Sequence, residues 1–201
     1  MRHLQLETMA GVAVTTGYKA EWQQAWLRKA PSVMKPMTEE HLAVLRRHMV
    51  EMIAIHTDLA SEELGKAALD ERAMAAMRRV PRHRFVPASV VPYAYQDMPL
   101  WIGFDKTVSQ PFIVALMTDL LAPQPHEAVL EIGTGLGYQT AVLAKLAGQV
   151  CSVEIVEEFA SSAEALLQGA RFIQCRHWCL GRVSRLARAR PIRQDPGHGG
   201  G

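Results

Sequence analysis

The chain has 201 residues, with 22 Lys and Arg against 20 Asp and Glu, a formal net charge of +2, an apolar fraction of 49% and three cysteines. That length suits one domain with at most an appendage and is enough for a real core, so a soluble globular protein is expected. Residues 112–122, the longest apolar stretch, are too short to span a bilayer, residues 9–14 fall short of a secretion signal, and three irregularly spaced cysteines point to a reducing compartment, the cytoplasm, rather than to a disulfide scaffold.

Residues 1–36 show no sustained periodicity and carry Gly11, Gly17, Pro31 and Pro36 at irregular intervals, which predicts a loose N-terminal extension. From Met37 the pattern changes. Thr38 can cap a helix, Glu39 and Glu40 suit its positive end, and Leu42, Leu45, Met49, Met52, Ile53 and Leu59 recur at helical spacing. Gly65 interrupts this helix, and Leu69, Met74 and Met77 mark a second that ends by Val80-Pro81. Methionines so spaced read as core filling. Pro87, Pro92 and Pro99 then punctuate an ordered loop with short extended pieces up to Thr107. A third helix, residues 112–121, opens at Ser109-Gln110-Pro111, with Ser109 as its expected cap and Pro111 in its first turn.

The run Ala128-Val129-Leu130 predicts a buried parallel strand, and residues 139–147 predict a helix. Between them lies Glu131-Ile132-Gly133-Thr134-Gly135-Leu136-Gly137-Tyr138, a strand-to-helix loop with glycine at alternate positions. Glycine removes the side chains that would hold a ligand off the main chain, so the loop predicts a nucleotide cofactor. In dinucleotide-binding enzymes the pattern is G-x-G-x-x-G; here the third glycine comes one residue early and Tyr138 stands in its place, which disfavours an oxidoreductase. The pattern resembles instead the loop of class I S-adenosylmethionine-dependent methyltransferases. That resemblance implies Glu131 near the amine of the cofactor's methionine moiety and Gly133, Thr134, Gly135 and Gly137 along its path. Glu154 ends the next apolar run, Val150-Cys151-Ser152-Val153, about 20 residues past the glycines, where doubly wound folds set a carboxylate on the ribose hydroxyls.

Two further strings, Val80-Pro81-Arg82-His83-Arg84-Phe85-Val86-Pro87 and the segment from Ile102-Gly103 to Thr107-Val108-Ser109-Gln110-Pro111, precede the glycine loop in the order seen in protein-L-isoaspartate O-methyltransferases. The resemblance covers residues 37–169, with Trp101 standing where a proline is expected. It implies a Rossmann-like α/β methyltransferase fold with N-terminal helices. It also implies a monomer that uses S-adenosyl-L-methionine to methylate the free carboxylate of L-isoaspartyl residues in aged proteins and peptides. That acceptor is anionic at neutral pH, so no strong base is needed and positioning is the catalytic task. Ser109 and Thr107 are the catalytic candidates by resemblance. His83, between two arginines in a loop, reads as a packing or hydrogen-bonding residue.

The resemblance stops after Gly169. Residues 171–201 hold seven arginines, no lysine and one acid, Asp195, whereas the preceding part holds fifteen basic and nineteen acidic residues. The composition argues against a packed strand, so a methyltransferase domain over residues 37–170 is expected to lack its C-terminal strands. With one choice of codons for residues 191–201, a one-nucleotide shift yields a string similar to the missing strand; a reading-frame change is therefore one origin for the tail, which sequencing the gene tests. Loss of those strands predicts an exposed first strand and a poorly folded or inactive chain. Cys175, His177 and Cys179 fit no standard zinc spacing. The arginines raise, as an alternative, a nucleic-acid-contacting protein or a non-catalytic cofactor-binding remnant, although no aromatic platform accompanies them.

Overall fold

The first helix, α1 (Glu39–Leu59), starts where its cap signal lies: Thr38 Oγ1 accepts the His41 N–H at 3.3 Å, with Glu39 and Glu40 in the first turn. The structure is a computed structural model that describes residues 37–169 and the backbone of 177–182. The expected N-terminal extension, residues 1–36, and most of the tail lie outside the described residues. Of the periodic set on α1, Leu42, Met49 and Ile53 are buried, while Met52 and Leu59 face solvent. A short helix, α2 (Ser61–Leu64), ends on Gly65 in the left-handed region. Asp70 caps α3 (Glu71–Arg79) by accepting the Arg72 N–H at 2.6 Å, and Met74 and Met77 from this helix fill the core beside Phe85, Val114 and Leu167. Each such fully buried side chain contributes about 1.5–3 kcal/mol.

Two 3-10 turns, Arg82–Phe85 and Ala88–Tyr93, carry the proline-rich stretch. They lead into an antiparallel hairpin of β1 (Leu100–Gly103) and β2 (Lys106–Val108) that turns at Phe104 and Asp105, both at positive φ. Next comes α4 (Pro111–Leu121), with Pro111 at its start as expected. The expected serine cap is corrected: Gln110 is the N-cap residue and no side chain of the segment caps the helix. Asp97 does so from a distance, Oδ1 accepting the Phe112 N–H at 2.8 Å.

The remaining elements are β3 (Ala128–Ile132), α5 (Tyr138–Leu143), β4 (Gln149–Glu154), α6 (Glu157–Gly169) and β5 (His177–Arg182). The three strands are parallel in the order β3-β4-β5, with Val129 opposite Val150 and Val150 opposite Trp178. This succession of strands and helices is one half of a doubly wound sheet. Two expectations change. The tail supplies a strand after all, because β-ladder bonds along β4 reward an extended backbone whatever its composition. And β3, read from its apolar run as buried, is instead the exposed first strand that loss of the C-terminal strands predicts: nothing pairs with its outer edge among the described residues, and Leu130 is 51% and Ile132 74% exposed. The predicted helix 139–147 is shorter than expected, since Lys145 and Leu146 donate to the carbonyls three residues back and close the chain into turns. Cys151 is disulfide-bonded, against the reduced cysteines that their irregular spacing suggests. No helix among the described residues is long and apolar enough to cross a membrane.

Candidate functional site

At the C-terminal end of β3 the backbone turns through Gly133, Gly135 and Gly137, at φ of +89°, +55° and +93°. The Gly133 and Thr134 N–H groups donate to the Val153 carbonyl at 2.8 and 3.2 Å, tying the turn to β4. The glycines serve different ends. A Cβ on Gly133 would meet no heavy atom within 4 Å, so the backbone lies open there to a ligand. A Cβ on Gly137 would sit 3.1 Å from Leu167 Cδ1, so this glycine lets α6 close on the start of α5.

Glu131 points off β3 beneath this turn. Its Oε2 accepts from Ser152 Oγ at 2.6 Å and from the Thr140 hydroxyl, and Oε1 has no partner among the described residues. Burial pushes its carboxyl up to about 7; the two hydroxyl bonds oppose that rise and Glu154 adds to it. Glu154 is buried, with Oε2 accepting the Gly135 N–H at 2.7 Å and Oε1 those of Ile155 and Val156 at 2.8 and 2.9 Å. It therefore pins the glycine turn to the end of β4. A carboxylate has about four lone-pair sites, so acceptor capacity remains beyond these three bonds.

A cavity of about 70 Å³ is lined by Thr107, Ser109, Glu131, Gly133, Thr134 and Gly135, with Ile102 and Gln139 at its sides. The β1–β2 hairpin brings Thr107 and Ser109 there; Ile102 Cδ1 reaches to 3.4 Å from where a Gly135 Cβ would lie. Both residues are exposed. Six of the eight residues singled out in the sequence thus meet at one cavity. Gly137 and Glu154 stand outside its lining and act on the loop from behind. Thr134 contributes backbone, because its hydroxyl turns inward to Ser152 Oγ at 2.6 Å. The cavity is well short of the roughly 300–1,000 Å³ of an enclosed small-molecule site, so this is an open cradle. Its features fit the amino-acid end of S-adenosylmethionine: an unpartnered carboxylate oxygen for an ammonium group and bare backbone at Gly133 for the chain beside it.

Sequence reasoning missed four supporting residues. Asp97 binds Gln110 Nε2 at 2.9 Å and His56 Nδ1 at 2.6 Å besides capping α4, and so fixes the segment that follows Ser109. Arg82, fully buried, donates from Nη2 to the Ser109 carbonyl at 2.7 Å and stacks 4.8 Å from the Tyr138 ring centroid. Burial draws its pKa below the ordinary arginine value, against the pull of Tyr138 and Asp97. Ser152 and Thr140 are the others. A serine inside the apolar run of β4 and a threonine in the first turn after the glycines were visible signals. His83 is off the cavity, paired with Tyr95 Oη at 2.7 Å; burial lowers its pKa, with Glu39 opposing. Among the described residues no cluster of His, Cys, Asp or Glu could hold a metal; Cys175 and the side chains of His177 and Cys179 lie outside them.

A family model described as Protein-L-isoaspartate(D-aspartate) O-methyltransferase (PCMT) matches residues 56–175. Protein-L-isoaspartate O-methyltransferase 1 of Polaromonas sp. strain JS666 is 59% identical over 131 residues, 65% of this chain and 56% of the relative. Protein-L-isoaspartate O-methyltransferase 2 of Nitrosococcus oceani is 51% identical over 122 residues, 61% of this chain and 56% of the relative. The chain spans about half the length of these relatives. Among solved structures, a protein-L-isoaspartate O-methyltransferase aligns with a TM-score of 0.55 at 22% identity, covering 68% of this chain and 41% of that one. A Plasmodium falciparum protein described as a protein-L-isoaspartate O-methyltransferase in complex with S-adenosyl-L-homocysteine aligns with a TM-score of 0.53 at 18% identity, covering 68% and 62%. These likenesses show the fold, an α/β Rossmann-like methyltransferase architecture present here in part.

Proposed function

The chain belongs to the protein-L-isoaspartate(D-aspartate) O-methyltransferase family, and on that premise we propose that it binds S-adenosyl-L-methionine at the end of β3 and methylates the free carboxylate of L-isoaspartyl residues. The observation that supports this most is the single cavity shared by the glycine loop and the Thr107–Ser109 segment, two motifs that are separate in the sequence. Cofactor and acceptor sites of a methyl transfer must adjoin.

Glu131 Oε1 receives the cofactor's ammonium group, and the backbone at Gly133 leaves room for the chain beside it. Glu154 holds the turn in shape and offers its remaining acceptor capacity to hydroxyls. When bound, the cofactor supplies an electrophilic methyl group. Ser109 and Thr107 orient the acceptor carboxylate by hydroxyl hydrogen bonds, which fix its direction without tying up its charge as a lysine would. The acceptor is ionised at neutral pH, so no side chain has to remove a proton. The reading takes the chain as a monomer working in the cytoplasm on isoaspartyl-containing proteins and peptides.

Calorimetry with S-adenosyl-L-homocysteine, followed by methyl transfer to an isoaspartyl peptide, tests the proposal. Ser109→Ala is expected to lower kcat/KM by about tenfold or more through lost positioning and to leave cofactor affinity unchanged. A Ser109→Ala enzyme with full activity would overturn the assignment. The bare edge of β3 and the half-open cradle favour one second reading, a cofactor-binding remnant without turnover. Binding in the calorimeter with no methylated peptide would select it.

A further inference from the structure

Ser152 is fully buried in the middle of β4, and its hydroxyl meets both Thr134 Oγ1 and Glu131 Oε2 at 2.6 Å. A hydroxyl carries one proton. In its ionised form the carboxylate can only accept, so Ser152 then donates to Glu131 and Thr134 donates to Ser152. Thr140, also buried, donates its own proton to the same oxygen from the first turn of α5. Two elements thus converge on Oε2, while Oε1 keeps no partner among the described residues and Glu131 lines the cavity next to Gly133. Buried hydroxyls are costly unless they are bonded, and here both spend their protons on one carboxylate oxygen.

We propose that Ser152 and Thr140 are positioning residues for Glu131: by occupying Oε2 they fix the plane of the carboxylate and present Oε1 to the cavity as the acceptor for a ligand's primary ammonium group. Thr134 completes the device, since its hydroxyl sets the direction of the Ser152 proton and its backbone belongs to the cofactor loop. The two bonds also favour the ionised carboxylate against burial, which is the dominant influence on it, and against Glu154, the charged neighbour acting on it. The proposal rests on the methyltransferase reading, in which the ammonium group is that of the cofactor's amino-acid end.

The test is calorimetric binding of S-adenosyl-L-homocysteine between pH 5.5 and 9.5 by the full chain and by Ser152→Ala, Thr140→Val and Thr140→Ser. In the wild type, affinity is expected to rise with pH through about 7 as Glu131 ionises. Losing one hydrogen bond to a charged group moves that midpoint up by about one pH unit and weakens binding about fivefold at pH 7, approaching about tenfold below pH 6. The deficit narrows by about pH 8.5, where Glu131 is mostly ionised in every variant while the ligand still carries its ammonium group. Thr140→Ser, which keeps the hydroxyl, retains the wild-type profile. Should Ser152→Ala fail to fold, the Thr140 pair carries the comparison. Wild-type binding with a midpoint unmoved in Thr140→Val and Ser152→Ala, or a deficit equal at every pH, overturns this proposal alone. No binding by the wild type at any pH overturns the cofactor reading and this proposal with it.

Discussion

Replacing Gly137 by alanine puts a methyl group on a backbone at φ +93° and 3.1 Å from Leu167 Cδ1, 3.3 Å from Leu167 Cγ and 3.6 Å from Ala163 Cβ. Holding an L-residue in the left-handed region costs about 1–2 kcal/mol. Overpacking a buried contact adds about 1–3 kcal/mol, because Leu167 and Ala163 sit on α6 and cannot recede without moving the helix. The sum, about 2–5 kcal/mol, is a large part of the stability of a small domain. With a urea m-value of about 2 kcal/mol/M it shifts the unfolding midpoint down by about 1–2.5 M. Gly133→Ala is the control. Its φ of +89° brings the same backbone cost, but its added methyl meets nothing within 4 Å, so only about 1–2 kcal/mol is expected. The new methyl would stand where the ligand approaches the loop, so S-adenosyl-L-homocysteine affinity should fall sharply. Urea unfolding and calorimetry of the two variants separate the roles. Equal destabilisation by both, or unaltered affinity in Gly133→Ala, would refute the reasoning.

The Glu131 carboxyl, raised from 4.5 to about 7 in the folded chain, holds its proton more tightly when folded than when unfolded. Its contribution to stability is therefore complete below about pH 4.5 and is lost as the pH rises through about 7, for a total of about 3 kcal/mol. Glu131→Gln, neutral at every pH, should match the wild type at pH 4.5 and exceed it by up to that amount at pH 8 while binding cofactor poorly; a stability difference independent of pH, measured by denaturant unfolding, would contradict this. Asp97→Ala removes the cap of α4 and the anchor of Gln110, and should cost about 1–2 kcal/mol in unfolding free energy together with a loss of peptide methylation larger than the loss of cofactor binding. Ile132 is 74% exposed on the edge of β3 that nothing pairs with among the described residues, so the monomer is expected to self-associate at high concentration; Ile132→Lys should then lower the apparent mass in sedimentation or light scattering, since charge on an edge strand blocks pairing with another chain.

Much of the architecture was legible because it is local. Thr38, Glu39 and Glu40 announce α1 through capping and the helix dipole, and the stop at Val80-Pro81 follows from proline chemistry. The glycine spacing announces the loop because those backbone angles are closed to other residues. Where the reading failed, a partner distant in the chain decided the outcome. Ser109 leaves the cap of α4 to Asp97, thirteen residues before Gln110, which holds both that residue and the Phe112 amide. The segment 177–182 is a strand because β4 offers it a ladder.

Sequence alone thus determined the family and the glycine turn and named the residues proposed to meet a cofactor, since glycine, acid and hydroxyl positions carry their chemistry wherever the chain goes. Tertiary structure decided which of them share a cavity, that Glu154 and Gly137 work from behind it, and that Ser152 and Thr140 close on one oxygen of Glu131. Those outcomes depend on strand register and on the seating of α5 and the β1–β2 hairpin, which are set by packing and hydrogen bonds between segments far apart in the chain and so leave no signal in local spacing.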